Sequence, residues 1–252
     1  ATAFSPDGGL DEDAFRSYLQ RFIDARIGVY LASAGSGESG AMTADELRRV
    51  YRIGVEACKG KIPVHGNPPE KLSVRETLDH VRLAIDGGVE IVNVYGPAGW
   101  HGFQPTGEEV FAFFAQLLAD VKHPVSLSPN PSVGRVTPAT IAALCRKHGQ
   151  IVAINLADQN DDYFMELRET LDRDVAINVS LTGSLEMLQL GAAGVIGAEP
   201  NALPRTYRRY LDLVESGNFA EAAVVYADLK RFIRYVAKWR GSHPRYLKMM
   251  MR

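Results

Sequence analysis

Apolar positions along the chain follow two alternating rhythms: short runs apolar on both faces, and longer stretches with a helical repeat. In the segment 11–26, Phe15, Leu19, Phe22, Ile23 and Arg26 recur at helical spacing, and Gly28 is expected to end the helix. The run 27–33 then reads as a buried strand. Thr43 followed by Glu46 is a capping box, with Leu47, Tyr51, Gly54 and Cys58 on one face behind it. The run 61–66 is the next strand. Ser73 and Glu76 form a second box ahead of Val74, Leu78, Val81 and Ile85, and 90–95 is again a strand. Thr106 and Glu109 cap a helix that carries Val110, Phe113, Phe114 and Leu117 inward.

The alternation continues with a strand at 124–128 and a helix entered through Thr137 and Pro138, with Ile141, Leu144 and Cys145 inward. A strand at 151–155, a helix at 161–171, a strand at 175–179, a short helix at 184–190 and a strand at 194–198 follow. Helical segments then cover 204–216, 218–240 and the stretch from 244 onward. Strands apolar on both faces, each followed by a helix, predict a parallel sheet covered by helices. Seven such strands are visible. An eighth is expected before Asp11, where only a stub remains at Ala1. The pattern predicts a (β/α)8 barrel over 1–203 with a C-terminal helical extension over 204–252. The competing open, doubly wound sheet lacks its signature: no Gly-x-Gly-x-x-Gly follows the first strand, and no acidic residue is placed for a ribose.

Composition narrows the function classes without naming one. The 252 residues are 46% hydrophobic and 23% charged, which excludes a disordered, collagen-like or coiled-coil chain. Lys and Arg number 28 against 30 Asp and Glu, a net charge of −2, so no basic excess points to nucleic acid. The most basic stretch, 230–252, is interleaved with apolar residues and reads as amphipathic helix. No run approaches the ~18 apolar residues of a membrane span, and residues 1–8 lack the regions of a signal peptide. Cys58 and Cys145 both fall on apolar helix faces, as buried free thiols do in a reducing compartment. A cytoplasmic location is expected.

In a barrel, chemistry sits where strands end and loops begin on the carboxyl side. The loop Ser33-Ala34-Gly35-Ser36-Gly37-Glu38 reads either as a flexible turn or as an anion cradle, with exposed backbone N–H groups and the Ser36 hydroxyl facing a carboxylate. Polar candidates at the other strand ends are His65, Asn67, Tyr95, His101, Ser128, Asn155, Asp158 and Ser180. His65 is either a hydrogen-bonded strand-end histidine or a general base; His101, between aromatic residues, reads as loop packing. His65, His101, Asp158 and Glu38 show no ligand-spacing motif, so no metal and no cofactor is assigned. Glu38 is expected to brace its own loop by accepting backbone N–H bonds.

Several of these segments, taken in order, resemble the dihydrodipicolinate synthase / N-acetylneuraminate lyase family of pyruvate-handling aldolases. The segment 4–15 resembles that family's opening motif. Ala34-Gly35-Ser36-Gly37-Glu38 stands where the family has Gly-Thr-Thr-Gly-Glu or Gly-Ser-Thr-Gly-Glu, and Met42-Thr43-Ala44-Asp45-Glu46 follows at the expected distance. The segment 191–204 resembles the Gly-Ala-x-Gly-x-Ile-Ser…Asn-x-x-Pro signature. The resemblance covers essentially the whole chain. It implies a (β/α)8 barrel, a C-terminal helical bundle, homodimers or homotetramers, and a chain clipped at both ends.

The resemblance also implies a chemistry, and with it a set of departures. The family attacks the ketone of a 2-oxo acid with a lysine in the pattern Ile-Val-Gly-Ile-Lys, and the Schiff base acts as electron sink. Here that segment reads Ile151-Val152-Ala153-Ile154-Asn155. The family's relay tyrosine falls at Ser128, and its Pro-Tyr-Tyr motif reads Pro97-Ala98-Gly99. An amide nitrogen is not nucleophilic, and a serine hydroxyl is a far weaker acid than a phenol. Lys61 and Lys122 lie at the starts of their strands and offer no substitute. The expectation is a lyase-like protein acting on or binding a small 2-oxo acid without an imine. Ser36, Gly35, Gly37, Ile196 and Gly197 would hold its carboxylate, and Asn155, Ser128 and His65 would orient or protonate it. The alternative is an inactive relative serving as an oxo-acid sensor or partner subunit.

Overall fold

Helix starts follow the sequence closely because their determinants are local. In the computed structural model, which describes residues 1–97, 105–129, 136–157, 160–239 and 243–251, helix α1 (Glu12–Ala25) is capped by Asp11, whose side chain accepts from the Ala14 N–H. Helices α2 (Ala44–Cys58) and α4 (Gly107–Asp120) carry complete capping boxes from Thr43/Glu46 and Thr106/Glu109. In α5 (Pro138–Lys147), Thr137 caps and Pro138 occupies the first turn. Each cap is worth about 1 kcal/mol and fixes a start to within a residue. Among the described residues the other helices are α3 (Val74–Asp86), α6 (Asp161–Thr170), α7 (Ser184–Gln189), α8 (Pro204–Glu215), α9 (Phe219–Val236) and α10 (His243–Met251).

The strands are shorter than the apolar runs that predict them. They are β1 (Val29–Leu31), β2 (Val64–Gly66), β3 (Ile91–Tyr95), β4 (Val125–Ser128), β5 (Ile151–Leu156), β6 (Ala176–Ser180) and β7 (Gly194–Ile196). Before β1, Arg26 rather than Gly28 ends α1: it takes a left-handed conformation with φ 54°, and the Arg26 and Ile27 N–H groups close onto Ile23 and Phe22. Before β2, the N–H groups of Lys61 and Ile62 turn back to Cys58, and Pro63 has none to give a ladder. Residues ahead of Asp11 form a tight turn with Phe4 bridged antiparallel to Leu10, where a further strand had been expected.

Two compact units divide the chain: Ala1–Asn67, Asp86–Glu90 and Gly197–Arg252 form one, and Pro68–Ile85 with Ile91–Ile196 the other. In the first, β1 and β2 pair in parallel, α1 packs on α2 and α8, and α8 packs on α9. Its core includes Phe15, Leu19 and Phe22 of α1 and Leu47, Val50 and Tyr51 of α2, all buried. Each such side chain contributes roughly 1.5–3 kcal/mol. In the second unit β3, β4, β5, β6 and β7 pair parallel in sequence order, with α4, α5 and α6 packed in succession. Each strand returns through a helix, as a parallel connection requires. Cys58 and Cys145 are free and buried. No described helix is long and apolar enough to cross a membrane.

Candidate functional site

The side-chain period of a strand is two residues, so alternate positions of β3 to β6 share a face. In register, Tyr95 stands beside Ser128, Asn93 beside Ser126, and Asn155 beside Asn178, which itself stands beside Gly194. The result is a polar cluster, buried at Asn93, Ser128 and Asn155 and half-buried at Asn178. The Ser128 hydroxyl donates to Asn93 Oδ1 at 2.8 Å, and Asn155 Nδ2 donates to the same oxygen at 2.9 Å and to Ser128 Oγ at 3.3 Å. Asn178 Nδ2 in turn donates to Asn155 Oδ1 at 3.0 Å. Asn93, Ser128 and Asn155 expose 1%, 5% and 3% of their surface, so these bonds replace water almost entirely. Gly194 leaves room for the chain of amides: a Cβ there would lie 3.1 Å from Asn178 Oδ1. Ser126 Oγ, fully buried, makes no hydrogen bond among the described residues.

Sequence reasoning selects Ser128 and Asn155, and the structure brings these two together. It misses Asn93, the shared acceptor, and Asn178. Both lie inside runs read as apolar strands, and an asparagine in a buried strand was the available signal. None of the four linked side chains is ionisable. The cluster can orient or bind a neutral polar group, but it supplies no amine and no acid.

The glycine loop belongs to the first unit and is built differently. Gly37 is required by close approach: a Cβ there would fall 2.5 Å from Ser33 N and 2.7 Å from Ser33 O. Its N–H donates to Ser33 Oγ at 3.0 Å, and its carbonyl accepts from the Thr2 hydroxyl at 2.8 Å. The Glu38 and Ser39 N–H groups turn inward to Gly35 O and Ser33 O, each at 3.4 Å. Three N–H groups of the expected cradle are therefore engaged within the loop. Gly35 is exposed, and the half-buried Ser36 hydroxyl has no partner among the described residues. Glu38 does not brace its own loop as expected. With φ 57° its side chain is carried toward α10, where its carboxylate lies 2.6 Å from Lys248 Nζ. Lys248 also lies over the Phe4 ring, 4.6 Å from its centroid.

His65 sits in β2 with its ring 4.5 Å from that of Tyr30, and its Nδ1 is buried without a hydrogen-bond partner among the described residues. Burial lowers its pKa to about 4, opposed only in part by the carboxylate of Glu90, so the imidazole is neutral at pH 7. Ile196 ends β7 and is half-buried, while Gly197 is exposed. A Cβ on Gly197 would lie 2.3 Å from Glu199 Oε2, which accepts from the Tyr207 hydroxyl at 3.3 Å. The expected carboxylate position at Gly197 therefore has a carboxylate of the protein beside it, a residue that sequence reasoning passed over. Lys61 and Lys122 are exposed and donate to the helix-end carbonyls of Ala57 and Ala119. His101, Asp158, Ala98 and Gly99 lie outside the described residues.

Parallel strands joined by helices, with polar side chains set into the sheet, define an α/β protein of the kind that carries its site on strand ends. The particular family follows from comparison. A model of the dihydrodipicolinate synthetase family matches residues 1–252, and the chain belongs to that family. It is 28% identical over 229 residues to a 4-hydroxy-tetrahydrodipicolinate synthase of Nitratidesulfovibrio vulgaris, covering 88% of this chain and 76% of the relative. A 4-hydroxy-tetrahydrodipicolinate synthase of Xanthomonas campestris pv. campestris is 29% identical over 227 residues, covering 88% and 73%. Among solved structures, dihydrodipicolinate synthase from Aquifex aeolicus superposes with a TM-score of 0.84 at 22% identity, covering 93% of this chain and 80% of that one. YagE of E. coli K12, a member of the same family solved in complex with pyruvate, gives 0.88 at 21% identity, covering 100% and 85%.

Proposed function

We propose that this protein binds a small 2-oxo acid, of the pyruvate class that YagE holds, and does so without forming a Schiff base. The observation that carries the reading is the Asn93–Ser128–Asn155–Asn178 cluster, because the residue the family resemblance aligns with the lysine is an amide already engaged by its neighbours. An imine forms only when a neutral amine adds to the ketone and water leaves, and Asn155 offers no such lone pair. The Ser36 hydroxyl, which has no partner among the described residues, is the group we assign to the ligand's carboxylate. We read the fold as a (β/α)8 barrel with a C-terminal helical bundle, assembled as a homodimer or homotetramer, as the family resemblance implies, and the location as cytoplasmic, in keeping with two buried free thiols.

The absence of an ionisable side chain from the four linked groups favours a second reading, binding without turnover, as in a sensor or a partner subunit. One experiment addresses both. Pyruvate or a larger 2-oxo acid is expected to raise the melting temperature by mass action, and Ser36→Ala to lose most of the shift. Borohydride added with pyruvate is expected to leave the intact mass unchanged, whereas Asn155→Lys gains a reducible adduct. A pyruvate adduct mapped to any lysine of the unaltered chain overturns the imine-free reading, and no shift with any 2-oxo acid overturns the ligand. Consumption of the bound acid, followed by NMR, separates a lyase from a sensor.

A further inference from the structure

Three local rules are broken in the packed pair of helices α1 and α8, two at the start of α8 and one at the end of α1. The first turn of α8 carries Arg205 and no acidic residue, against the positive end of the helix dipole, and Leu203 provides no side-chain cap. Across from it, Arg26 holds the left-handed position at the end of α1, with φ 54°, where glycine is the usual occupant. Arg205 and Arg209 stand one helical turn apart, both exposed, and neither has an ion pair or hydrogen bond among the described residues. Sites where a sequence departs from local preference without a local compensation are where function is expected.

Arg26 and Arg205 line one feature, an open cleft of about 430 Å³ whose charged lining is Asp24, Arg26, Arg205, Arg208, Arg209 and Asp212. The volume lies within the range of small-molecule sites. Its fixed part is already organised. Asp212 receives Arg208 Nε at 2.8 Å and Arg26 Nη2 at 3.3 Å, and Arg208 reaches Glu215 at 2.8 Å while keeping only 18% of its side chain exposed. Asp24 accepts from Gln20 at 2.7 Å. Four guanidinium groups against two carboxylates leave the lining with an excess of two positive charges, and the two uncommitted guanidiniums are the ones on adjacent turns.

We propose that this cleft binds a small multivalent anion, with two phosphoryl or carboxylate groups separated by one or two atoms. Residues at i and i+4 of a helix stand about 5–6 Å apart, the spacing at which two guanidiniums engage neighbouring anionic groups. The planar fork of arginine suits both phosphoryl and carboxylate oxygens, so the ligand class is fixed by charge and spacing. The site is separate from the 2-oxo acid reading and stands or falls without it.

Calorimetric titration at constant ionic strength tests the proposal, with pyrophosphate, citrate, inorganic phosphate and chloride as probes. Pyrophosphate or citrate is expected to bind with one site per chain and more tightly than phosphate, and the tighter of the two assigns the anionic group. The double variant R205Q/R209Q is expected to weaken that binding by about tenfold for each arginine removed. R205K/R209K recovers part of it, and Arg75→Gln, an exposed arginine elsewhere, leaves it unchanged. Equal binding by R205Q/R209Q, no binding of either multivalent anion, or equal heats from chloride would overturn the proposal. Because both replaced side chains are exposed, an unchanged melting temperature of the free variants separates lost binding from lost folding.

Discussion

The strand-borne amide cluster and the glycine loop are two of the regions in which sequence reasoning placed substrate contacts, and they handle polarity in opposite ways. The cluster is neutral, buried at Asn93, Ser128 and Asn155 and half-buried at Asn178, and its bonds run between side chains 23 to 62 residues apart in the chain. The loop is short-range and partly exposed, and its charge is anchored at a distance by Lys248. Where water is excluded, a polar group has to be paired by the protein, so every member of the cluster depends on the others. In the loop, solvent compensates what the protein leaves open, which is why the half-buried Ser36 hydroxyl needs no partner among the described residues.

That contrast predicts unequal responses to mutation. The largest effect is expected for Asn155→Ala, which strips a donor from the buried Asn93 and Ser128 and an acceptor from the half-buried Asn178. A loss of about 3 kcal/mol in urea unfolding follows. A loss below about 1 kcal/mol would mean that the cluster is not mutually dependent, and the contrast would fail. Gly37→Ala comes next, at about 2 kcal/mol, because backbone atoms of Ser33 stand where the new methyl group must go. It should also weaken 2-oxo acid binding, measured by the same thermal shift as Ser36→Ala.

The third expectation is a pH dependence. Burial lowers the His65 pKa from 6.5 to about 4, so between these values the unfolded chain holds a proton that the folded chain refuses. Stability is therefore fully present above pH 6.5 and falls as pH drops toward 4, by about 1–2 kcal/mol for a half-buried ring. His65→Gln should flatten that part of the curve in urea melts run from pH 7 to pH 4; a parallel curve would show that other groups carry it. The smallest effect is expected for Lys248→Ala. Its ion pair with Glu38 is partly solvated, at 38% and 25% side-chain exposure, and exposed pairs contribute less than about 1 kcal/mol. A much larger loss would mean that the loop depends on its anchor as the cluster depends on its members, and would erase the difference between the two regions.

What the sequence by itself determined is whatever a few consecutive residues decide. Thr43 with Glu46 and Thr106 with Glu109 announced the starts of α2 and α4, and the spacing of Phe15, Leu19 and Phe22 announced the buried face of α1. The run 151–155 was legible as β5, and its terminal asparagine could be singled out from the family pattern. Tertiary structure alone decided the partners. Asn93 and Asn178 look like isolated polar residues in apolar strands until parallel register brings Asn93 Oδ1 within 2.9 Å of its donor Asn155 and Asn178 Nδ2 within 3.0 Å of its acceptor on the same residue, and only then are they the remaining half of the cluster. Glu38 could brace its loop or reach elsewhere; its backbone conformation and a lysine 210 positions away chose the second. Caps and periodicities are written in local geometry, whereas the pairing of a buried polar group depends on which strands lie side by side.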